Sequence, residues 1–97
     1  MKTVIDQLKD MQGEIYPLDE YEFPALLDRI EFRQQVGQRK YGHSIDRDDL
    51  TKSEWLQHLQ EELLDAIQYA IRAGENGLAT NLAHDAILVQ LKIDNIR

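Results

Sequence analysis

Three observations predict an all-α fold for this chain of 97 residues. Apolar residues recur at helical spacing in four separate segments. Glycines and a proline mark the gaps between those segments. No apolar–polar alternation runs long enough for a strand. The expected architecture is an antiparallel helical bundle of three long helices plus a short N-terminal helix, in a single domain over 1–97.

Residues 3–12 carry Val4, Ile5, Leu8 and Met11 on one face, the pattern of a short amphipathic helix. The stretch Gly13 to Pro17 breaks it. A second helix is expected from Phe23 or Pro24 to Tyr41, with Pro24 tolerated in its first turn. Its apolar positions are Leu26, Leu27, Ile30, Val36 and, less regularly, Phe32, and Gly42 is its stop. Residues 43–50, HSIDRDDL, read as a polar loop. Thr51 and Glu54 have capping-box spacing, so a third helix should start there and run to Arg72 or Ala73. The turn AGENG (73–77) supplies two glycines. Thr80 or Asn81 should then open a last helix to Ile96, with the stripe Leu82, Ala86, Val89, Ile93 and Ile96.

With 42% apolar and 30% charged residues the chain is globular rather than disordered. Eighteen acidic against eleven basic side chains leave a net charge of −7. Such a surface repels nucleic-acid backbone and anionic lipid and suits a site that concentrates divalent cations. The absence of cysteine excludes disulfides, thiolate metal sites and thiol nucleophiles. His43, His58 and His84 form no HExxH pattern. No apolar run reaches the ~20 residues of a membrane span. The N-terminal MKTVIDQLKD has acids and no hydrophobic core, so a signal peptide is not expected and a cytoplasmic location is.

The third helix is where chemistry concentrates. Its row Trp55, Leu59, Glu62, Ala66, Tyr69 is apolar or aromatic except at Glu62. If that row is packed, Glu62 must find water, a cation or a raised pKa. The adjoining row Glu54, His58, Glu61, Asp65, Gln68, Arg72 is wholly polar. Glu61, Glu62 and Asp65 therefore crowd one strip, where like charges repel unless a cation sits among them. On periodicity alone, a solvated face is the simpler account of Glu61 and Asp65.

The second helix has Asp28 and Glu31 one turn apart, with Gln35 and Gln38 continuing that face. Two helices with paired carboxylates can surround Mg²⁺ with oxygen ligands and leave room for substrate phosphates. Arg39 and Lys40 suit a helix C-terminus and equally a phosphate. Lys92 and Asn95, spaced i, i+3, could hold phosphate or sugar, though surface roles are commoner for such residues. No P-loop, GxGxxG or GxSxG motif occurs.

The run IEFRQQVGQRKYG (30–42) resembles the helix ending in K-[YWF]-G of MazG-like proteins. The run HLQEELLDAIQYAI (58–71) is similar to that family's E-x-x-D helix. Together they cover residues 28 to 72, somewhat under half the chain. The resemblance implies an all-α, Mg²⁺-dependent pyrophosphohydrolase, with Mn²⁺ as a substitute. It would cleave a nucleoside or deoxynucleoside triphosphate to the monophosphate and pyrophosphate. It also implies a homodimer or homotetramer.

The family's usual pattern is EExxE, a spacer, then ExxD. Glu62-Leu-Leu-Asp65 fits the second half. Asp28-Arg-Ile-Glu31 would then be the first, as DxxE with a longer spacer. Alternatively Glu61-Glu62-Leu-Leu-Asp65 is the first half, and the last helix offers only Asn81-Leu-Ala-His84, with Asp85 beside it. By this resemblance the metal ligands are Asp28, Glu31, Glu62 and Asp65. Glu61 is the reserve ligand or general base, so Glu61 and Glu62 are the catalytic carboxylates. Arg39, Lys40, Lys92 and Asn95 would meet the substrate. The rival expectation is a non-catalytic helical protein that dimerises through its apolar rows.

Overall fold

The computed structural model describes residues 2–15 and 21–96. It contains four α-helices, α1 (Val4–Asp10), α2 (Glu22–Tyr41), α3 (Lys52–Arg72) and α4 (Asn76–Ile96), and a 3-10 turn over Gln12–Glu14. No strand occurs among the described residues, as expected for an all-α chain. The chain divides into two compact units, Met1–Asp48 and Asp49–Arg97, each treated by itself below.

In the first unit, Thr3 and Asp6 form a capping box that starts α1. Thr3 Oγ1 accepts from the Asp6 N–H at 3.1 Å, and Asp6 Oδ2 accepts from the Thr3 N–H at 3.4 Å. The Val4 N–H at the same end donates to Asp46 Oδ1 at 2.8 Å, which ties α1 to the 43–50 loop. Val4, Ile5 and Leu8 are half-buried, the face the sequence pattern selects. The break expected over Gly13 to Pro17 is entered by the 3-10 turn, and its last two residues lie outside the described ones. Helix α2 begins one residue ahead of Phe23, which is its buried anchor. Leu26, Leu27 and Ile30 continue that face, whereas Phe32 is exposed to solvent. Gly42 ends the helix at φ 74°, and its N–H donates to the Gln38 carbonyl at 2.8 Å. A left-handed residue there favours glycine.

The second unit is an antiparallel hairpin of α3 and α4 joined by residues 73–75. Thr51 and Glu54 cap α3 as their spacing predicts. The other end departs from expectation. Gly74 adopts φ 78°, its N–H donates to the Ile71 carbonyl at 3.0 Å, and the Glu75 N–H donates to the Ala70 carbonyl at 2.9 Å. That pair of bonds is a Schellman motif, complete within three residues. Helix α4 can therefore begin at Asn76, not at Thr80 or Asn81. Gly77 is a first-turn helical residue and not a second breaker.

The hairpin core lies on α4, where Ala79, Ala86, Val89 and Ile93 are buried. Ala86, Val89 and Ile93 belong to the expected stripe. Leu82 is half-buried and Ile96 is exposed. On α3 the inward stripe is Leu56, Gln60, Leu63, Ile67 and Ala70, at i, i+4, i+7, i+11, i+14. The expected packed row is a flank instead. Trp55 and Ala66 are half-buried, but Leu59, Glu62 and Tyr69 are exposed. Glu62 does not interrupt a buried row.

Candidate functional site

Helix α3 sets its acidic strip by register alone. From Leu56 on the inward stripe, steps of five, six and nine residues at 100° per residue turn to the far side of the helix. Glu61, Glu62 and Asp65 fall there, and all three are exposed. None forms an ion pair among the described residues. Their row partners Glu54, His58, Gln68 and Arg72 are exposed too, as the all-polar row predicts. Exposure removes one reason for Glu62 to need a cation, because no desolvation opposes its charge. The mutual repulsion of three neighbouring carboxylates remains.

Glu54 belongs to the same face and has a different task. Its Oε1 accepts from the Thr51 N–H at 3.0 Å, and Thr51 Oγ1 accepts from the Glu54 N–H at 3.1 Å. The backbone hydrogen bond from Thr51, followed by the side-chain bond with Thr51, holds the Glu54 carboxyl below the usual glutamate range.

On α2, Asp28 and Glu31 are exposed one turn apart, with Gln35 and Gln38 exposed along the same helix. Asp28 borders a shallow patch with Arg29, Phe32 and Arg33. The two guanidinium groups of that patch offset part of the negative potential a divalent cation needs. Arg39 and Lys40 are exposed in the last turn of α2. Lys92 and Asn95 are exposed on α4, as are His84 and Asp85. The strip at Glu61, Glu62 and Asp65 is thus one local cluster of the second unit, and Asp28 with Glu31 is a separate pair of the first. Among the described residues, no group of three or more histidine, aspartate or glutamate side chains is arranged to hold a metal. Mg²⁺ retains several waters and takes one or two carboxylates plus substrate phosphates, so Glu62 and Asp65 still suit it in number and kind.

The hairpin also carries a feature that sequence reasoning missed. A shallow groove runs between α3 and α4, walled by Leu64, Ile67, Ala83, Ile87 and Leu91, with Gln60 and Gln90 on its floor and edge. No charged side chain lines it. The signal was available: Ile87 and Leu91 are spaced i, i+4 and lie outside the stripe through Val89 and Ile93, so α4 carries two apolar rows.

No known protein family, characterised protein or solved structure matches the chain.

Proposed function

We propose that the chain is a Mg²⁺-dependent pyrophosphohydrolase that splits a nucleoside or deoxynucleoside triphosphate into the monophosphate and pyrophosphate, working as a homodimer or homotetramer. The observation that carries this reading is the exposed strip Glu61, Glu62 and Asp65, which forms no ion pair among the described residues and whose last two members have the ExxD spacing. The likeness of 30–42 and 58–71 to MazG-like sequences supports it.

Glu62 and Asp65 would hold the metal with substrate phosphate oxygens, and Asp28 and Glu31 are the further ligands of this reading. The bound ion supplies positive charge to the triphosphate. Glu61 accepts a proton from the attacking water, whose oxygen bonds to phosphorus as the bridge between the α and β phosphates breaks. Arg39, Lys40 and Lys92 neutralise the departing pyrophosphate, and Asn95 holds sugar or phosphate by hydrogen bonds. An acidic protein meets an anionic substrate here only through metal.

A panel of nucleoside triphosphates, assayed for monophosphate and pyrophosphate with Mg²⁺, tests the reading. Glu62→Gln and Asp65→Asn should each abolish turnover and leave helicity intact, while Glu54→Gln, which keeps a capping side chain, should leave turnover unchanged. Undiminished turnover in both strip variants would reduce the strip to a solvated face.

The uncharged groove of the hairpin favours a second reading, a non-catalytic helical protein that acts by association. Calorimetric titration with Mg²⁺ or Mn²⁺ separates the two, since only the first predicts binding that Glu62→Gln removes.

A further inference from the structure

Helix α4 is apolar on more than one side. Ala79, Ala86, Val89 and Ile93 are buried in the hairpin, yet Ile87 and Leu91 stand 62% and 55% exposed on the flank toward the groove. Across from them α3 shows Leu64 and Ile71, 47% and 54% exposed. A helix with apolar rows on more than one side is built to be buried on more than one. Each wall of the groove presents one such row, spaced by whole turns.

The groove has the dimensions of one helix. From Gln57 to Ile71 the α3 edge rises about 21 Å, or about four turns, and packed helix axes lie about 9 Å apart. That footprint is far below one subunit's share of a standard interface. It suits the mode in which a single amphipathic helix lays its apolar row between two others.

The polar groups around the groove say which helix. Gln60 and Gln90 line it together. Gln60 Oε1 is buried and has no hydrogen-bond partner. Glu61, next to Gln60 in the chain, is exposed and borders Leu64 three residues on. Asp94 accepts from Gln90 Nε2 at 3.0 Å and shares a side of α4 with Ile87, seven residues earlier. One half of the groove thus gathers three acceptors, two of them charged. Among the described residues the cations of the hairpin stand elsewhere. Lys92 is turned about 140° from Ile87, and Lys52 about 120° from Leu64. Arg72 ends α3 beside the turn, away from these acceptors. An acidic helix would meet like charge here. A helix with lysine or arginine brings donors for Gln60 Oε1 and countercharge for Glu61 and Asp94.

We propose that the groove binds a helix of another protein, amphipathic and cationic. Its apolar row seats on Leu64, Ile71, Ile87 and Leu91. Its lysine or arginine side chains meet Glu61, Asp94 and Gln60 Oε1 in the half of the hairpin away from its turn. The four apolar anchors include none of the metal-ligand candidates, so the docking does not depend on the pyrophosphohydrolase reading.

Calorimetric titration of the full chain with a synthetic peptide tests it without any assay of turnover. The probe is an end-blocked helix of about 18 residues, enough to cover the groove, with leucine at i, i+3, i+4 and i+7 spacing and lysine on the flanks. It should bind the wild type, and its twin with glutamate for lysine should bind at least about tenfold more weakly. Leu64→Ala together with Ile87→Ala should weaken the lysine peptide by about tenfold or more. Both side chains are exposed and alanine is a strong helix former, so helicity should survive. Asp94→Asn should weaken binding and reduce its salt dependence. Asp85→Asn removes the same charge on the far side of α4 and should do neither. No binding of the lysine peptide, or equal binding to the wild type and the double alanine variant, would overturn the proposal, since the groove would then hold nothing. Equal binding of the two peptides would do the same. A sedimenting particle of two or more chains that the double alanine variant reduces to one would also sink it, because the groove would then belong to a second copy.

Discussion

Helices α3 and α4 have the same length, 21 residues each, and pack on one another, yet they meet water in opposite ways. α3 confines its charges to one side and gives α4 a stripe of half-buried residues. α4 holds all four buried residues of the hairpin and still shows Ile87, Leu88 and Leu91 to solvent. A sharply amphipathic helix tolerates an outer position; a broadly apolar one does not. α3 therefore carries the exposed acidic strip, and α4 carries the surplus of exposed apolar side chains.

Ile93, only 3% exposed, offers the strongest test of that contrast. Ile93→Ala should destabilise the hairpin by about 3 kcal/mol, read as a fall in the urea midpoint at constant slope. The same change at half-buried Ile67 on α3 should cost less. If the two costs were equal, α4 would not be the centre of the core.

The turn between the helices gives the next effect in size. Gly74→Ala forces a Cβ into a left-handed residue and should cost about 1–2 kcal/mol. Gly77→Ala sits in the first turn of α4, where an added Cβ meets nothing within 4 Å. It should raise stability by up to about 1 kcal/mol. Opposite signs at two glycines so close in the chain would fix where one helix stops and the next starts.

The smallest effect is at the α3 cap. Thr51→Ala should cost about 1 kcal/mol, seen as lost thermal stability. The cap also carries a pH dependence. Glu54 titrates below its ordinary range in the folded chain. Its contribution is therefore full above the unfolded value and is lost as pH falls through the lowered folded one. Glu54→Gln should flatten that acid limb by lowering stability near neutral pH, and should leave stability at low pH almost unchanged.

The α3 cap was legible because a capping box is written in four consecutive residues. The split between the rows of α3 was not. Leu56, Leu63, Ile67 and Ala70 make one apolar row, and Trp55, Leu59 and Ala66 make another; only the position of α4 decides which is inside. With the second row taken as the inner one, Glu62 looks buried. Two glycines in AGENG look alike in sequence, and only a left-handed φ tells Gly74 from Gly77. The Asp46 cap on Val4 joins residues far apart in the chain and had no local signal. Of the candidate site, the polar character of Glu61, Asp65, Asp28 and Glu31 was readable, since charged residues stay wet. Whether ligands from different helices converge is a matter of tertiary distance, which helical periodicity does not encode.

The three-residue turn has a bearing on how the molecule is made. Its ends are already neighbours in the chain, so bringing α3 onto α4 costs little loop entropy. Joining Val4 to Asp46 must close a segment of 42 residues first. Contacts that are near in sequence form early and fast, and distant ones wait. On refolding of the complete chain the hairpin should therefore order before the α1 clasp is in place.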